Sequence, residues 1–164
     1  MRYLMRQKMF ALADGFTIKD ENDNDIYRVD GKVFAMGHKL SFNDMAGNEL
    51  ASISQKLLSW GPTYEIYQGG ALTATVSKHF TFLKAEFTIT VPGSDDLEAV
   101  GQFNAHTYNF TQAGRPVAEV SKRWFALTDT YGVDIAENED DLLILASTVV
   151  IDMVCHPDHQ QNQL

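Results

Sequence analysis

The stretch Leu142-Leu-Ile-Leu-Ala-Ser-Thr-Val-Val-Ile-Asp-Met-Val-Cys155 is apolar at nearly every position. A run of about 14 residues is too long for an ordinary buried strand, so it favours a helix. A helix that is apolar on all of its faces must be surrounded by protein or by lipid. This one is too short to span a bilayer comfortably, and Asp152 interrupts it. The stretch therefore predicts a helix over about residues 139–155, capped by Asn138 and enclosed by the rest of the chain.

Most of the preceding chain consists of short alternating runs of apolar and polar residues, separated by turn residues. The run from Thr63 to Tyr67 ends near Gly69-Gly70, a dipeptide typical of a two-residue hairpin, and Asp30-Gly31 predicts another turn. Roughly ten to twelve strands result, at the spacing of a barrel or a sandwich. A closed barrel would surround the helix and would leave no exposed sheet edge.

The chain also resembles itself at a shift of 67 positions. Residues 46–66 fall on residues 113–133 with six identities in 21 positions, and the apolar positions match throughout. A strand-turn-strand unit used twice would give two similar halves of one sheet. The alternative is a chance resemblance, because segments that alternate with period two align easily.

Composition limits the class of protein. The chain has 164 residues, which favours a single domain over residues 1–164, and its one cysteine indicates a reducing compartment. We read no signal peptide and no transmembrane segment, and we expect a cytoplasmic protein, with attachment to the inner face of the membrane as an open alternative. The net charge of −9 disfavours binding to nucleic acid, although it does not exclude a local basic patch.

No motif indicates catalysis or a cofactor. The chain lacks G-x-S-x-G, a P-loop and a Rossmann fingerprint, so we expect no catalytic residues, no cofactor and no enzymatic activity. The acidic residues 20–25 invite comparison with a calcium loop, but Asp25 and Gly31 occupy the places that require Gly and Glu. We expect a solvated acidic turn there.

The histidines and the cysteine have ordinary interpretations. Cys155, His156, Asp158 and His159 include metal-ligand types, but they are crowded in one segment, so we predict no metal site. No spacing argument brings His38, His79 and His106 together. Asp152 must be paired, protonated or near water, and we expect a hydrogen bond to barrel backbone or an exposed position near the helix end.

Four basic residues are candidates for contact with a lipid or a partner. Lys78 and Lys84 flank the stretch His79-Phe-Thr-Phe-Leu, and Lys122-Arg123 precede Trp124-Phe125. Cations beside aromatic side chains suit a head group at a membrane surface. The alternative is that outward-facing strand positions simply hold Lys and Arg.

Several blocks in succession resemble the LURP-one-related family, in its bacterial YxjI-type branch. They include Leu40-Ser-Phe-Asn-Asp, Gly47-Asn-Glu-Leu-Ala-Ser-Ile, Phe87-Thr-Ile-Thr-Val-Pro-Gly-Ser-Asp-Asp-Leu-Glu, Val120-Ser-Lys-Arg-Trp-Phe and Thr128-Asp-Thr-Tyr-Gly-Val-Asp-Ile. The resemblance implies a tubby-C-terminal-like fold, mainly β, with a closed antiparallel barrel of about 12 strands around one central hydrophobic helix. It implies no enzymatic activity. The tubby domain, a distant structural relative, binds phosphoinositide head groups, and the distantly related phospholipid scramblases also act at membranes. No lysine or arginine motif of those relatives can be matched here.

We therefore expect a non-enzymatic binding or scaffold protein with an unknown protein partner. The alternative is a peripheral membrane protein that binds anionic phospholipid head groups through a local basic patch. A third possibility, a hydrolase, would need a cleft in which histidine and acidic side chains converge.

Overall fold

The computed structural model describes residues 1–6, 15–34, 37–80, 84–122 and 130–156. These described residues form twelve strands followed by one α-helix. The strands are β1 (Arg2–Arg6), β2 (Phe16–Asp20), β3 (Asp25–Phe34), β4 (Gly37–Asp44), β5 (Glu49–Gln55), β6 (Thr63–Gln68), β7 (Ala71–Phe80), β8 (Ala85–Thr90), β9 (Leu97–Gln102), β10 (Thr107–Gln112), β11 (Arg115–Ser121) and β12 (Thr130–Ile135). A single 3-10 turn (Phe103–Ala105) separates β9 from β10, and the helix α1 covers Asp141–Cys155.

The strands form one closed antiparallel barrel. Each strand pairs with its neighbours in the chain, and β1 pairs with β12 to close the sheet, with Arg2 opposite Asp134 and Arg6 opposite Thr130. The alternating pattern explains the burial, because inward positions such as Phe42 and Ile53 are inaccessible to water. The predicted closed barrel of about 12 strands with one helix is confirmed.

The helix α1 fills the inside of the barrel. Its residues 143–153 are all buried, which requires contact with the sheet on every face of the helix. The predicted cap at Asn138 is wrong. The N-cap is Asp140, whose Oδ1 accepts a hydrogen bond from the Leu143 amide at 3.0 Å. Asn138 instead has a φ of +66°, because the chain still turns at that point before it enters the barrel.

The internal repeat corresponds to equivalent strand pairs. In the first half of the barrel, β5 pairs with β6 so that Ile53 lies opposite Ile66. In the second half, β11 pairs with β12 so that Val120 lies opposite Val133, each displaced by 67 positions. The two strand pairs therefore have the same register as well as a similar sequence, as a unit used twice requires.

One predicted turn is confirmed and another is wrong. Gly69 and Gly70 connect β6 to β7. Their φ values of +57° and +81° are those of a tight two-residue hairpin turn, in which both central residues have positive φ. Asp30-Gly31 is not a turn, because β3 continues through it and Gly31 pairs with Leu40. A Cβ atom at Gly31 would lie 3.1 Å from Cδ2 of Leu40, so glycine relieves crowding there.

The barrel has two different ends. The end at which α1 begins is here called the entry end. Five connections join neighbouring strands there, namely β2–β3, β4–β5, β6–β7, β8–β9 and β10–β11. At the exit end α1 finishes, where β5, β7 and β11 also end, and it contacts the 3-10 turn. The Tyr3 hydroxyl donates to Asp141 Oδ2 at 2.6 Å and ties β1 to the start of the helix at the entry end.

Candidate functional site

A cluster of three ionisable side chains lies at the exit end of α1. Asp152 and His156 are four residues apart, so the helical repeat places them on one face. His106 follows the 3-10 turn with a φ of +50°, a left-handed conformation that directs its ring into the barrel. Asp152 Oδ1 lies 2.7 Å from Nε2 of His106 and 3.1 Å from Nδ1 of His156. One carboxylate oxygen of Asp152 therefore lies within hydrogen-bond distance of both imidazole rings.

The rings in this cluster are stacked. The centroids of His106 and His156 are 4.7 Å apart, with planes 2° from parallel, and the other face of His106 lies 4.4 Å from the ring of Tyr131. Among the described residues, neither Nδ1 of His106 nor the hydroxyl of Tyr131 has a hydrogen-bond partner, although both are buried. The cluster thus holds polar atoms whose hydrogen bonds the described chain does not complete.

Burial and hydrogen bonding compete in setting the protonation of the cluster. Burial alone would raise the pKa of Asp152, but hydrogen bonds from His106 and His156 outweigh it, and the pKa lies below its ordinary value. The hydrogen bond to Asp152 raises the pKa of His156. Burial raises the pKa of Tyr131 well above its ordinary value, and the charge of Asp152 adds to this effect. The arrangement favours an ionised Asp152.

The predicted environment of Asp152 is wrong. Its side chain is only 3% exposed, and among the described residues it contacts the side chains of His106 and His156 instead of barrel backbone. A buried carboxylate is better compensated by donors that can carry a positive charge than by neutral amides. The sequence could have indicated His156 through the four-residue spacing, but His106 is 46 positions away and no local pattern reveals that contact.

The ligand atoms of His106, Asp152 and His156 all lie within 4.8 Å of one another, close enough to hold a metal ion, but the orientation of the two rings opposes it. An ion about 2.0 Å from an imidazole nitrogen lies close to the plane of that ring. Two stacked rings with parallel planes share no such point, so one ion cannot bind both histidines unless a ring turns. As placed, the two imidazoles contact the same carboxylate oxygen of Asp152. His106 and Asp152 are 1% and 3% exposed, and His156 is 18% exposed, so most of the converging acidic and histidine groups are shielded from a substrate.

Cys155 does not contribute a reactive thiol. It is partly buried, and burial raises the pKa of the thiol to about 11, so the thiolate is scarce at neutral pH. Of the tail residues considered as metal ligands, His156 turns to Asp152, while Asp158 and His159 lie outside the described residues.

An open pocket of about 640 Å³ adjoins the cluster at the exit end. Its lining includes Lys78, Lys84, Gln102, Asn104 and Cys155. Lys78 Nζ lies 4.9 Å from the ring centroid of Phe80, and it lies 6.0 Å from that of Phe87. The ammonium group thus sits beside aromatic rings, an arrangement that the sequence indicated.

The structure brings together two of the four predicted basic residues. Lys78 and Lys84 line the same pocket although they belong to different sides of the β7–β8 connection. Lys122 directly follows β11 at the same end of the barrel, but it does not line this pocket. Arg123 lies outside the described residues.

Charge is unequally divided between the two ends. The described connections at the entry end, with the strand residues that border them, hold twelve acidic residues, namely Asp20, Glu21, Asp23, Asp25, Asp44, Glu49, Asp95, Asp96, Glu137, Glu139, Asp140 and Asp141. By the same rule, the described part of the exit end holds Arg6, Lys56, Lys84 and Lys122 and no acidic residue, although Lys56 Nζ lies 4.0 Å from Glu65 in β6. The entry end also holds one basic residue, Arg115, which pairs with Glu139. A protein with a net charge of −9 therefore has one end that is locally basic.

The acidic residues 20–25 form the exposed turn that the sequence predicted. Asp20 Oδ1 accepts the backbone amides of Asn22 at 2.8 Å and Asn24 at 2.9 Å, and the hydrogen bonds from Asn24 lower the pKa of Asp20. Asp44 and Asn48 repeat the same pattern in the β4–β5 turn. The carboxylates therefore satisfy the backbone of their own turns.

No helix among the residues that the structure describes is long and apolar enough to cross a membrane. A family model described as LURP-one-related matches residues 1–152. The chain is 35% identical over 158 residues to "Uncharacterized protein YxjI" of Bacillus subtilis (strain 168), with 96% of each protein covered. A protein of Arabidopsis thaliana known from its X-ray structure has the same fold, with a TM-score of 0.64 at 17% identity over 92% of this chain and 88% of that one.

Proposed function

Because the chain belongs to the LURP-one-related family and its barrel is filled by its own helix, we propose that it is a non-enzymatic binding protein that works from its outer surface. A barrel holds a small ligand inside only when its lumen is free. Here residues 143–153 occupy that space, and the side chains of His106 and Asp152 are only 1% and 3% exposed. Binding is then left to the ends and the outside of the barrel.

The ligand we propose is an anionic group of the phosphate type, bound in the pocket at the exit end. The observation that carries this proposal is the convergence of Lys78 and Lys84 on one concave surface, beside the amide side chains of Gln102 and Asn104. Two ammonium groups and two amides supply the donors that a phosphate oxygen accepts. A soluble phosphate ester and a phospholipid head group share this chemistry.

Lys122 is a further basic residue at the exit end that supports the same proposal, although it does not line the pocket. It adds to the positive potential there. We propose that it helps to attract an anionic ligand, so its removal should weaken binding mainly at low salt.

A direct binding measurement tests the pocket. The wild-type protein and a Lys78→Glu/Lys84→Glu variant are titrated with inositol hexakisphosphate by calorimetry, and Lys39→Glu, on the exposed outer face of β4, is the matched control. We expect binding by the wild type and by the control, and loss of binding in the double variant. Equal binding by all three proteins would refute the pocket as the site.

The non-enzymatic part of the proposal has its own test. The phosphate ester is recovered after incubation with the protein and compared with the starting material by phosphorus NMR. We expect unchanged ligand. Turnover that disappears in His106→Gln would contradict the proposal, because it would show that the buried cluster takes part in chemistry.

A further inference from the structure

The β5–β6 connection presents apolar side chains to solvent at the exit end. Leu57 is 55% exposed, Leu58 is 94% exposed and Trp60 is fully exposed. Phe80, at the end of β7, is 76% exposed. Leu57, Leu58 and Trp60 are here called the apolar loop. Single exposed apolar residues are ordinary, but three within four positions of one connection are not.

The backbone of the apolar loop is held in place by its own hydrogen bonds. The Lys56 amide donates to the Thr63 carbonyl at 2.8 Å and closes the connection. The hydroxyl of Ser59 lies 3.1 Å from the carbonyl of Lys56 and 2.8 Å from that of Gly61. The hydroxyl of Ser59 therefore bonds to the backbone of its own loop, and the exposed apolar side chains project from a formed structure.

The apolar loop lies beside the basic pocket. The amide of Lys78 donates to the carbonyl of Pro62 at 3.2 Å, which joins the end of the loop to β7. Lys56 borders the loop on one side, and Phe80 places its ring next to the Lys78 ammonium group. Exposed apolar side chains and ammonium groups thus share one end of the barrel, while acidic residues gather at the other.

We propose that the exit end docks onto an anionic phospholipid bilayer, with the apolar loop entering the interface and the pocket of Lys78 and Lys84 facing the head groups. This inference rests on the proposed function, because it assigns the phosphate ligand to a lipid. Trp prefers the boundary between head groups and acyl chains, and lysines near it are attracted to acidic lipid. The separation of charge orients the protein, since the entry end is repelled by the surface that attracts the exit end.

A sedimentation assay with vesicles tests the docking. Vesicles of phosphatidylcholine, with or without phosphatidylserine, are mixed with the protein at low and at physiological ionic strength. We expect binding only to the vesicles with phosphatidylserine, weaker at higher salt. A Leu58→Ser/Trp60→Ser variant should bind about tenfold more weakly, and Met45→Ser, an exposed apolar residue at the entry end, should bind as the wild type does. Quenching of Trp60 fluorescence by brominated lipid should be present in the wild type and reduced in Trp60→Phe.

The outcomes separate this inference from the proposed function. If the loop variant loses vesicle binding but still binds inositol hexakisphosphate, both are supported, and the lysine variant should then lose both ligands. Failure of the wild type to bind vesicles at low salt would overturn the inference and leave the proposed function intact. Vesicle binding that the loop variant retains would also overturn it. Binding to vesicles without any binding of the phosphate ester would instead refute the proposed function.

Discussion

Replacing Asp152 by Asn tests whether the buried cluster fastens the end of α1 to the barrel. The substitution keeps the shape of the side chain and removes the charge that Nε2 of His106 and Nδ1 of His156 contact at 2.7 and 3.1 Å. Ser147→Ala is the matched control. Ser147 lies on the same helix, is equally buried, and its hydroxyl has no hydrogen-bond partner among the described residues.

The expected loss follows from the burial of the pair. Removing one member of a buried ion pair costs about 3–5 kcal/mol of unfolding free energy. Asn can still accept one hydrogen bond from an imidazole, so we expect a loss of about 3 kcal/mol, which lowers the melting temperature of a protein of this size by roughly 6–12 °C. Ser147→Ala should change the unfolding free energy by less than about 0.5 kcal/mol, because it removes a buried hydroxyl that makes no bond.

The loss should depend on pH. The pKa of Asp152 is lowered on folding, so its contribution is present above about pH 4 and is lost as the pH falls through the lowered pKa. The pKa of His156 is raised on folding, so its contribution is complete below about pH 6.5 and is lost as the pH rises through the raised pKa. The difference between wild type and Asp152→Asn should therefore be largest between about pH 4 and pH 6.5.

Urea unfolding, followed by circular dichroism and by fluorescence, measures this difference at about pH 5.5 and about pH 8.5. The reasoning is refuted if Asp152→Asn is as stable as Ser147→Ala, or if its loss is the same at both pH values. Agreement of the two probes is needed for a single free energy of unfolding.

Two further changes test the packing of the barrel. Gly101→Ala should destabilise the protein by several kcal/mol, because a Cβ atom there would lie 2.5 Å from a backbone oxygen of β10, while Gly93→Ala, in an open turn with positive φ, should lose only about 1–2 kcal/mol. Leu145→Ala should cost about 2–5 kcal/mol in urea unfolding because Leu145 is fully enclosed, and a loss below about 1 kcal/mol would contradict the placement of α1 inside the sheet.

The architecture could be predicted because its signals are local. The alternating runs define strands, and the apolar run from Leu142 to Cys155 is satisfied only by burial on every face. Turn chemistry was less reliable. Gly69-Gly70 is a hairpin, but Asp30-Gly31 lies inside β3, since a glycine can be required by a neighbouring side chain as well as by a turn.

The candidate site could be predicted only in part. The sequence placed Lys78 and Lys84 beside aromatic residues, and both line the exit-end pocket. The contact between His106 and Asp152 depends on how the 3-10 turn meets the last turn of the helix, so it is a property of the assembled barrel. The exposure of the loop around Trp60 also depends on the whole fold, because a short apolar stretch has the same sequence pattern whether it is buried or exposed.

The order of the chain has a consequence for synthesis on the ribosome. All strand pairings are between successive strands except the seam of β1 with β12, and α1 follows every strand. Hairpins can thus form as the polypeptide emerges, but a closed sheet without the helix would surround an apolar void, which is unfavourable. We therefore expect the nascent sheet to stay open, with its inner face available to chaperones, until the helix has been translated and the seam between β1 and β12 can close around it.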